Sequence, residues 1–417
     1  MFSEGEGRQL EGPLKGLKVL DWTIWQFGPV STSMMGDMGA DVIKIESLDG
    51  DPSRGLARAS NMTMDLGEGR VAYFETCNRN KRSIAINLKT REGLEIVYAL
   101  IKDADVFVQN FRAGVAERLG LGYDDVYAIN PKIIYGSANG YGPDGPDADQ
   151  PSFDGSGQAR SGLMMSATQL DQDYPTVVTQ GVSDQMGGIM LCQGILAALV
   201  GRSIRGVGQK VETSHLSANM WLQGLGVSMS LLQGGSGFSP YDRKNPKNPL
   251  VNVYKTKDSR FIMMMHLQPD NYWSPLMEAM GLPELATSSK YSSMALRSEH
   301  GNEIVNFMDQ KFSEKTAEEW DETFRVFPTD FIYSLVQSVQ DLPYDPQVTA
   351  NDYIVDFDHP VLGNVQMCNH PNIYSETPAG IWKEAPEVGQ DTESILIEDL
   401  KYSWGDIGRL QDLGVIL

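Results

Sequence analysis

A chain of 417 residues, 41% of them hydrophobic, carries 55 Asp and Glu against 34 Lys and Arg, a formal charge of −21. That apolar content suits a folded protein with room for two cores and excludes a disordered chain. The acidic field repels polyanions, which argues against nucleic acid or an anionic membrane surface as partner and obliges any anionic ligand to find local basic groups or backbone N–H donors.

The start, "MFSEGEGRQLEGPLKG", has acidic and glycine residues where a secretory signal carries an apolar run. "LKVLDWT" (17–23) is a short β-rich run, "GPVSTSMMGDMGA" a helical segment and "DVIKIES" (41–47) a second strand, which together predict a βαβ unit. "RSIAINL" (82–88) reads as a third strand, Thr90 as the cap of the helix "REGLEIVYALIKD", "ADVFVQN" as a fourth strand and "KIIYGSA" as a fifth. This alternation predicts an α/β fold with a doubly wound, mostly parallel sheet, whose ligands bind beyond the carboxyl ends of the strands. Those ends are residues 23–27, 46–47, 87–89, 110–112 and 137–141. The fold is Rossmann-like without the dinucleotide fingerprint: the turn after strand one is "TIWQFGP", "GSGQAR" fails at Arg160, and no Walker motif is present.

Residues 1–230 read as the large domain and 231–249, "LLQGGSGFSPYDRKNPKNP", as a linker or mobile loop rich in Gly, Pro and Asn. A smaller α+β domain follows over 250–330, with strands "LVNVYKT" and "RFIMMMH" and helices "EIVNFMDQKF" and "TAEEWDETFRVF". The methionine run at 263–265 reads as core strand. Residues 331–417 read as a return to the large domain, with a hairpin about 362–364 in "DHPVLGNVQM".

Several chemistries drop out. Cys77, Cys192 and Cys368 are far apart, so three reduced thiols are expected, and His215, His266, His300, His359 and His370 lack ligand spacing, so no metal is expected. There is no G-x-S-x-G elbow, and Ser236 in "GGSGF" lacks a strand-to-helix setting. The run "GVSDQMGGIMLCQGILAALV" (181–200) reads as a buried helix opening on a lone carboxylate, Asp184, for which a helix cap is the plain explanation. Gly187 and Gly188 weaken the first turn by about 1 kcal/mol each relative to Ala, so something has to approach the backbone there. The apolar stretch 189–200 is too short to span a bilayer, and a soluble cytoplasmic protein is expected.

The motifs "MMGDMGADVIKIES", "NRNKRSIAINLKTREG", "ADVFVQNFRAG", "ERLGLGYDDV", "NPKIIYGSANGYGPDGP", "GQARSGLM", "RGVGQKVETS" and "NPLVNVYKTKDSRFI", in this order, resemble those of the class III CoA-transferases, the group of formyl-CoA and carnitine CoA-transferases. The resemblance implies an enzyme that takes coenzyme A and acyl-CoA as substrates, binds no permanent cofactor and passes CoA from a donor such as succinyl-CoA or acetyl-CoA to a carboxylic acid. It implies catalysis by Asp184 through a mixed anhydride and an aspartyl-CoA thioester, with N–H groups near Gly187 and Gly188 stabilising the oxyanion. Gln26 and Asp154 match further residues of the family's reaction centre, and Phe27, Ile86, Asn87, Leu88, Lys89, Asn110, Phe111, Arg112 and Arg118 match its CoA contacts, with Lys89 and Arg112 the best cations for phosphate and "NRNKR" (78–82) secondary. It also implies a dimer of two interlocked ring-shaped chains, homomeric or paired with a related subunit.

Ile24 and Ser47 stand where formyl-CoA transferases place His and Arg. Ile24, with Trp25, Phe27 and Phe153, points to a larger, less polar acid than formate or oxalate, such as an aromatic or branched one. The α-methylacyl-CoA racemases share the fold, but where they place a His before an Asp this chain has Phe153 before Asp154, and phenylalanine cannot take a proton. A CoA-binding subunit of a heteromeric enzyme is the other alternative.

Overall fold

The computed structural model describes residues 11–59, 62–235 and 241–417. The chain divides into two compact units, one built from the residues up to Met164, from Val177 to the undescribed 236–240, and from Ala350 to Leu417, the other from Met165–Thr176 and from that undescribed stretch to Thr349. Part of the expected linker 231–249, including Ser236, lies outside the described residues.

The larger unit is organised by six strands: β1 (Lys18–Trp22), β2 (Asp41–Glu46), β3 (Lys81–Ala85), β4 (Val106–Gln109), β5 (Ile134–Asn139) and β6 (Gln209–Ser214). Their spatial order is β6-β5-β4-β1-β2-β3 and every pairing is parallel. Successive strand residues feed opposite faces, as the two-residue period of a strand requires. Val19, Val42, Val106 and Ile134 pack with Met35, Leu191 and Ile195 on one side, while Leu20, Ile43, Phe107 and Tyr135 pack with Ile96, Val97 and Ile101 on the other. Both faces are buried, so the inner strands read as continuous apolar runs.

Two strand expectations change in detail. β3 ends at Ala85, though the Ile86 N–H still donates to the Glu46 carbonyl of β2 at 2.9 Å; on the other edge the chain's last residues join it, Ile86 bridging Ile416 and the Asn87 N–H donating to the Val415 carbonyl at 2.8 Å. The C-terminal helix Trp404–Asp412 follows the same logic, placing Ile407 and Leu410 in the core of the larger unit. β6 is an addition, an edge strand of sequence QKVETS whose side chains are mostly exposed and therefore show no apolar pattern.

In the second unit β7 (Val251–Lys255), β8 (Phe261–Met265) and β9 (Tyr333–Leu335) form an antiparallel sheet. Its core joins Tyr254, Ile262 and Met264 to Trp273, Phe312, Trp320 and Phe324, so the methionine run is core strand at Met264. Back in the larger unit, β10 (Ile354–His359) and β11 (Gly363–Cys368) make the hairpin, with Gly363 supplying the left-handed φ of +72°.

Candidate active site

β1 and β4 are neighbours, and the strand order runs outward from them in both directions, the arrangement that opens a crevice at the carboxyl ends. Two adjoining cavities occupy it. One, of about 490 Å³, lies beyond β1, β2 and β3 and is lined by Thr23, Glu46, Asp51, Asn87 and Lys89 among others. The other, of about 330 Å³, lies beyond β1, β4 and β5 and ends on Asp184 and His215. Ile24, Phe111 and Val115 line both.

The loop between the cavities is held from below. The Asn110 side chain accepts from the Ile24 N–H at 2.9 Å and donates to the Ile24 carbonyl at 2.7 Å, clasping the backbone of one residue on both sides. Trp25 follows with φ +64°, a conformation disfavoured for a bulky residue, and its N–H donates to Asp51 Oδ1 at 3.2 Å. Asp51 in turn pairs with buried Lys44 at 2.9 Å, Lys81 with Asp21 at 2.7 Å and Arg54 with Glu46 at 2.7 Å, three cations against three carboxylates. Burial acts to raise the Asp21 carboxyl, but Lys81 and Lys44 outweigh it and hold the group below the usual carboxylate range.

Asp184 sits on the helix Val182–Arg205, whose cap is Gly181 at φ +76°. The carboxylate is therefore three residues into the helix and does not cap it, which corrects the simplest sequence reading. Capping comes from outside: Asp154 Oδ1 accepts from the Ser183 N–H at 2.6 Å, while Asp154 Oδ2 accepts from Gln158 at 2.8 Å. Asp184 is instead aimed at the crevice, 8% exposed, and its Oδ1 accepts from His215 Nε2 at 2.9 Å. The imidazole is 4% exposed, lies 4.7 Å from the Phe27 ring centroid, and has Ser152 Oγ 3.1 Å from Nδ1. Burial first and the nearby Asp184 carboxylate among other charges push the Tyr73 phenol up, so it stays protonated beside the site.

The two glycines are explained by packing. A Cβ on Gly187 would lie 2.6 Å from the Phe27 ring and one on Gly188 2.6 Å from Val30 and 2.9 Å from the Phe27 carbonyl oxygen. What approaches the backbone is the helix Phe27–Asp37. Both glycines also lie beyond the first four helical N–H groups, so their amides serve the helix's own hydrogen bonds and are not free to hold an oxyanion. The helix is 24 residues long, enough by length and composition to cross a bilayer, but its face from Asp184 through Leu191, Cys192 and Ile195 to Ala198 is buried in the larger unit.

The expected site residues divide into groups. Phe27, Asn110, Phe111 and Arg112 line the cavity of Asp184, and Ile86, Asn87, Leu88, Lys89 and again Phe111 line the other. Gln26 Nε2 reaches the Gly181 carbonyl and Gln185 Oε1, both at 3.4 Å, and so braces the helix start. Asp154 supports the same helix start, and Arg118, on the short helix Val115–Arg118, lines neither cavity. Among the described residues Lys89, Arg112 and Arg118 make no ion pair, and no three metal-ligating side chains converge. Sequence reasoning passed over His215 and Ser152. Recognising QKVETS as a strand would have put His215 at a carboxyl end, where ligands bind.

A doubly wound parallel sheet with a split crevice at its carboxyl ends and a buried carboxylate–imidazole pair beside it is the architecture of an α/β enzyme. The chain matches the model of CoA-transferase family III over residues 14–392 and belongs to that family; it is a CoA-transferase. It is 30% identical to the (R)-2-hydroxy-4-methylpentanoate CoA-transferase of Clostridioides difficile, over 97% of this chain and 99% of that one. It is 31% identical to the succinyl-CoA:glutarate CoA-transferase of Mus musculus, over 97% and 90%. Among solved structures, a CAIB/BAIF family protein from Brucella suis superposes with a TM-score of 0.79 at 25% identity, covering 93% of this chain and 99% of that one.

Proposed function

We propose that the protein moves CoA from an acyl-CoA donor, such as succinyl-CoA or acetyl-CoA, to an organic carboxylate through covalent intermediates on Asp184. The observation that carries this reading is a carboxylate at the inner end of a crevice whose outer cavity is the larger and is rimmed by the unpaired cation Lys89. CoA occupies the larger cavity, with Lys89 on its rim and Arg112, reaching over from the adjoining cavity, at its phosphates and Arg118 further out. The thioester reaches past Ile24 and Phe111 to Asp184. The carboxylate attacks the thioester carbonyl and expels CoA thiolate, giving a mixed anhydride. The thiolate attacks the aspartyl carbonyl and releases the first acid, and the incoming acid reverses both steps, so the thioester energy is conserved.

The acceptor is a branched or aromatic monocarboxylic acid. Ile24, Trp25, Phe27 and Phe153 all line the cavity of Asp184, with Trp25 and Phe153 edge to face at 5.8 Å. The similarity to a transferase named for a branched hydroxy acid supports this; the equal similarity to one named for glutarate makes a dicarboxylate the comparison to run. Epimerisation needs two bases on opposite faces of one carbon, whereas His215 and Asp184 are bonded to each other as one group. Assembly as a homodimer is part of the proposal. The exposed Trp221, Leu225, Leu231 and Leu232, on consecutive helices His215–Leu222 and Gly224–Leu232, form an apolar face that a second copy covers.

The test is to mix the protein with acyl-CoA, quench with hydroxylamine or borohydride, and map the modified peptide by mass. Modification at Asp184 is expected; modification elsewhere refutes the mechanism. A panel of carboxylates tests the acceptor, and preference for oxalate, formate or glutarate overturns the apolar pocket. Light scattering at monomer mass overturns the dimer.

A further inference from the structure

The imidazole beside Asp184 has no part in the reaction as written above, yet its placement is specific. His215 is the first residue of the helix that follows β6, with Ser214 capping that helix by accepting from the Ser217 N–H at 3.0 Å. Neighbouring backbone makes room for it: a Cβ on Gly157 would lie 2.7 Å from the His215 Cβ, and one on Gly140 2.3 Å from the Ser152 Cβ. The ring is thus held at three points, Phe27 against its face, Ser152 at one nitrogen and Asp184 at the other.

The tautomer follows from the carboxylate. A carboxylate can only accept, so Nε2 carries the proton and donates to Asp184 Oδ1, which leaves Nδ1 to accept from the Ser152 hydroxyl. Two steps of the proposed reaction are attacks on the aspartyl Cγ itself, by CoA thiolate on the anhydride and by the incoming acid on the aspartyl thioester. In each the Cγ=O electron pair moves onto the aspartyl oxygen that is not displaced, then returns as carboxylate or thiolate leaves. That oxygen needs a preorganised donor, and the amides of Gly187 and Gly188 are committed elsewhere.

We propose that His215 is the oxyanion donor for the tetrahedral adducts formed on Asp184, its Nε2–H staying on Asp184 Oδ1 while the other oxygen forms and breaks the acyl bonds, and that Ser152 positions His215 for it. The inference rests on Asp184 being the nucleophile. It leaves the first attack, in which charge develops on the substrate's own carbonyl oxygen, independent of His215. Removing the donor therefore slows the passage from acyl-enzyme to CoA-enzyme but not the formation of the acyl-enzyme.

The test compares wild type with His215→Phe, which keeps a ring against Phe27 but lacks the donor, His215→Gln, which restores an N–H, and Ser152→Ala. Rapidly quenched protein is weighed intact after mixing with acyl-CoA, which separates enzyme carrying the acyl group from enzyme carrying CoA. The expected result for His215→Phe is a kcat lower by ~10²–10³-fold with KM for acyl-CoA unchanged, and acyl-enzyme replacing CoA-enzyme as the main adduct. His215→Gln recovers part of the rate, and Ser152→Ala loses less than ~10-fold with the same shift in adduct. Should His215→Phe not fold by circular dichroism, the Gln and Ala variants carry the test. An unchanged adduct ratio in every folded variant overturns the role of His215. Absence of any covalent adduct in wild type is a different failure, that of Asp184 as nucleophile.

Discussion

The larger cavity holds its buried charges in pairs, whereas the smaller ends on a carboxylate whose partner is an imidazole. Below the first, Lys44, Lys81 and Arg54 match Asp51, Asp21 and Glu46 at 2.7–2.9 Å, so the floor is neutral and rigid and contributes shape. A buried pair of this kind is costly to break and gains little by itself, which suits a surface that must hold still under a ligand. Among the described residues Asp184 has no Lys or Arg partner. Its hydrogen bond from His215 leaves one oxygen uncommitted, and a carboxylate not neutralised by a salt bridge keeps its electron pairs for attack. Under the proposed mechanism the contrast is between charge spent on architecture and charge kept for chemistry.

The largest test of that contrast is Asp184→Asn. Because the residue is not the cap, folding does not depend on its charge, and the amide oxygen still accepts from His215. The melting temperature is expected to stay close to wild type while CoA transfer falls by ~10³–10⁶-fold and no covalent adduct forms. Transfer near the wild-type rate would make Asp184 a bystander and move the chemistry elsewhere. The matching change below the other cavity, Lys44→Met, has the opposite signature: it leaves Asp51 buried without its cation and costs about 3–5 kcal/mol of stability, read by urea unfolding.

Gly188→Ala comes next. Alanine gains about 1 kcal/mol in helix propensity, but the added methyl meets the backbone oxygen of Phe27, which cannot swing away, and overpacking of this kind costs about 1–3 kcal/mol. The clash wins, so net destabilisation is expected. Since Phe27 packs on His215, a fall in kcat accompanies it; a variant more stable than wild type would show that the two helices separate freely.

Lys89→Ala measures the other cavity. An exposed cation opposite phosphate is expected to raise KM for acyl-CoA by ~3–10-fold with kcat unchanged, and the difference to shrink as salt is added. A drop in kcat alone would place Lys89 at the chemistry instead.

How much of this was legible beforehand follows the same division. The sheet and the rims of the two cavities are written in short, contiguous patterns: "DVIKIES" and "ADVFVQN" bury both faces, and their ends supply Glu46 to the larger cavity and Asn110 to the smaller. The reaction centre is not contiguous. Ser152, Asp184 and His215 come from a loop, a helix and the start of the helix after an edge strand whose polar, partly exposed side chains hide it from any hydrophobic pattern. Gly187 and Gly188 showed that something must come close, and only the packing reveals that it is Phe27 and Val30 and not a ligand. Likewise the residues just past β3 meet a C-terminal segment more than 300 residues away, a pairing that local propensity cannot express.

The smallest expected effect separates the carboxylate from the nearest thiol. Cys77 is buried close enough to feel the Asp184 charge, and burial above all pushes its thiol up to about 12 against the pull of Lys81; burial does the same for Cys192, also to about 12. At pH 8 a thiol of that kind is thiolate in only ~1 molecule in 10⁴, and thiolate is the species that reacts. Cys368 is exposed. Native protein is therefore expected to take up iodoacetamide at Cys368 alone, with CoA transfer unchanged, and at all three cysteines once unfolded in urea. Peptide mapping reads the first result and a transfer assay the second. If alkylation of the native protein reached Cys77 and activity fell with it, the floor under Asp184 would be open to small reagents, and the division between a rigid, paired scaffold and one reactive carboxylate would fail where the two meet.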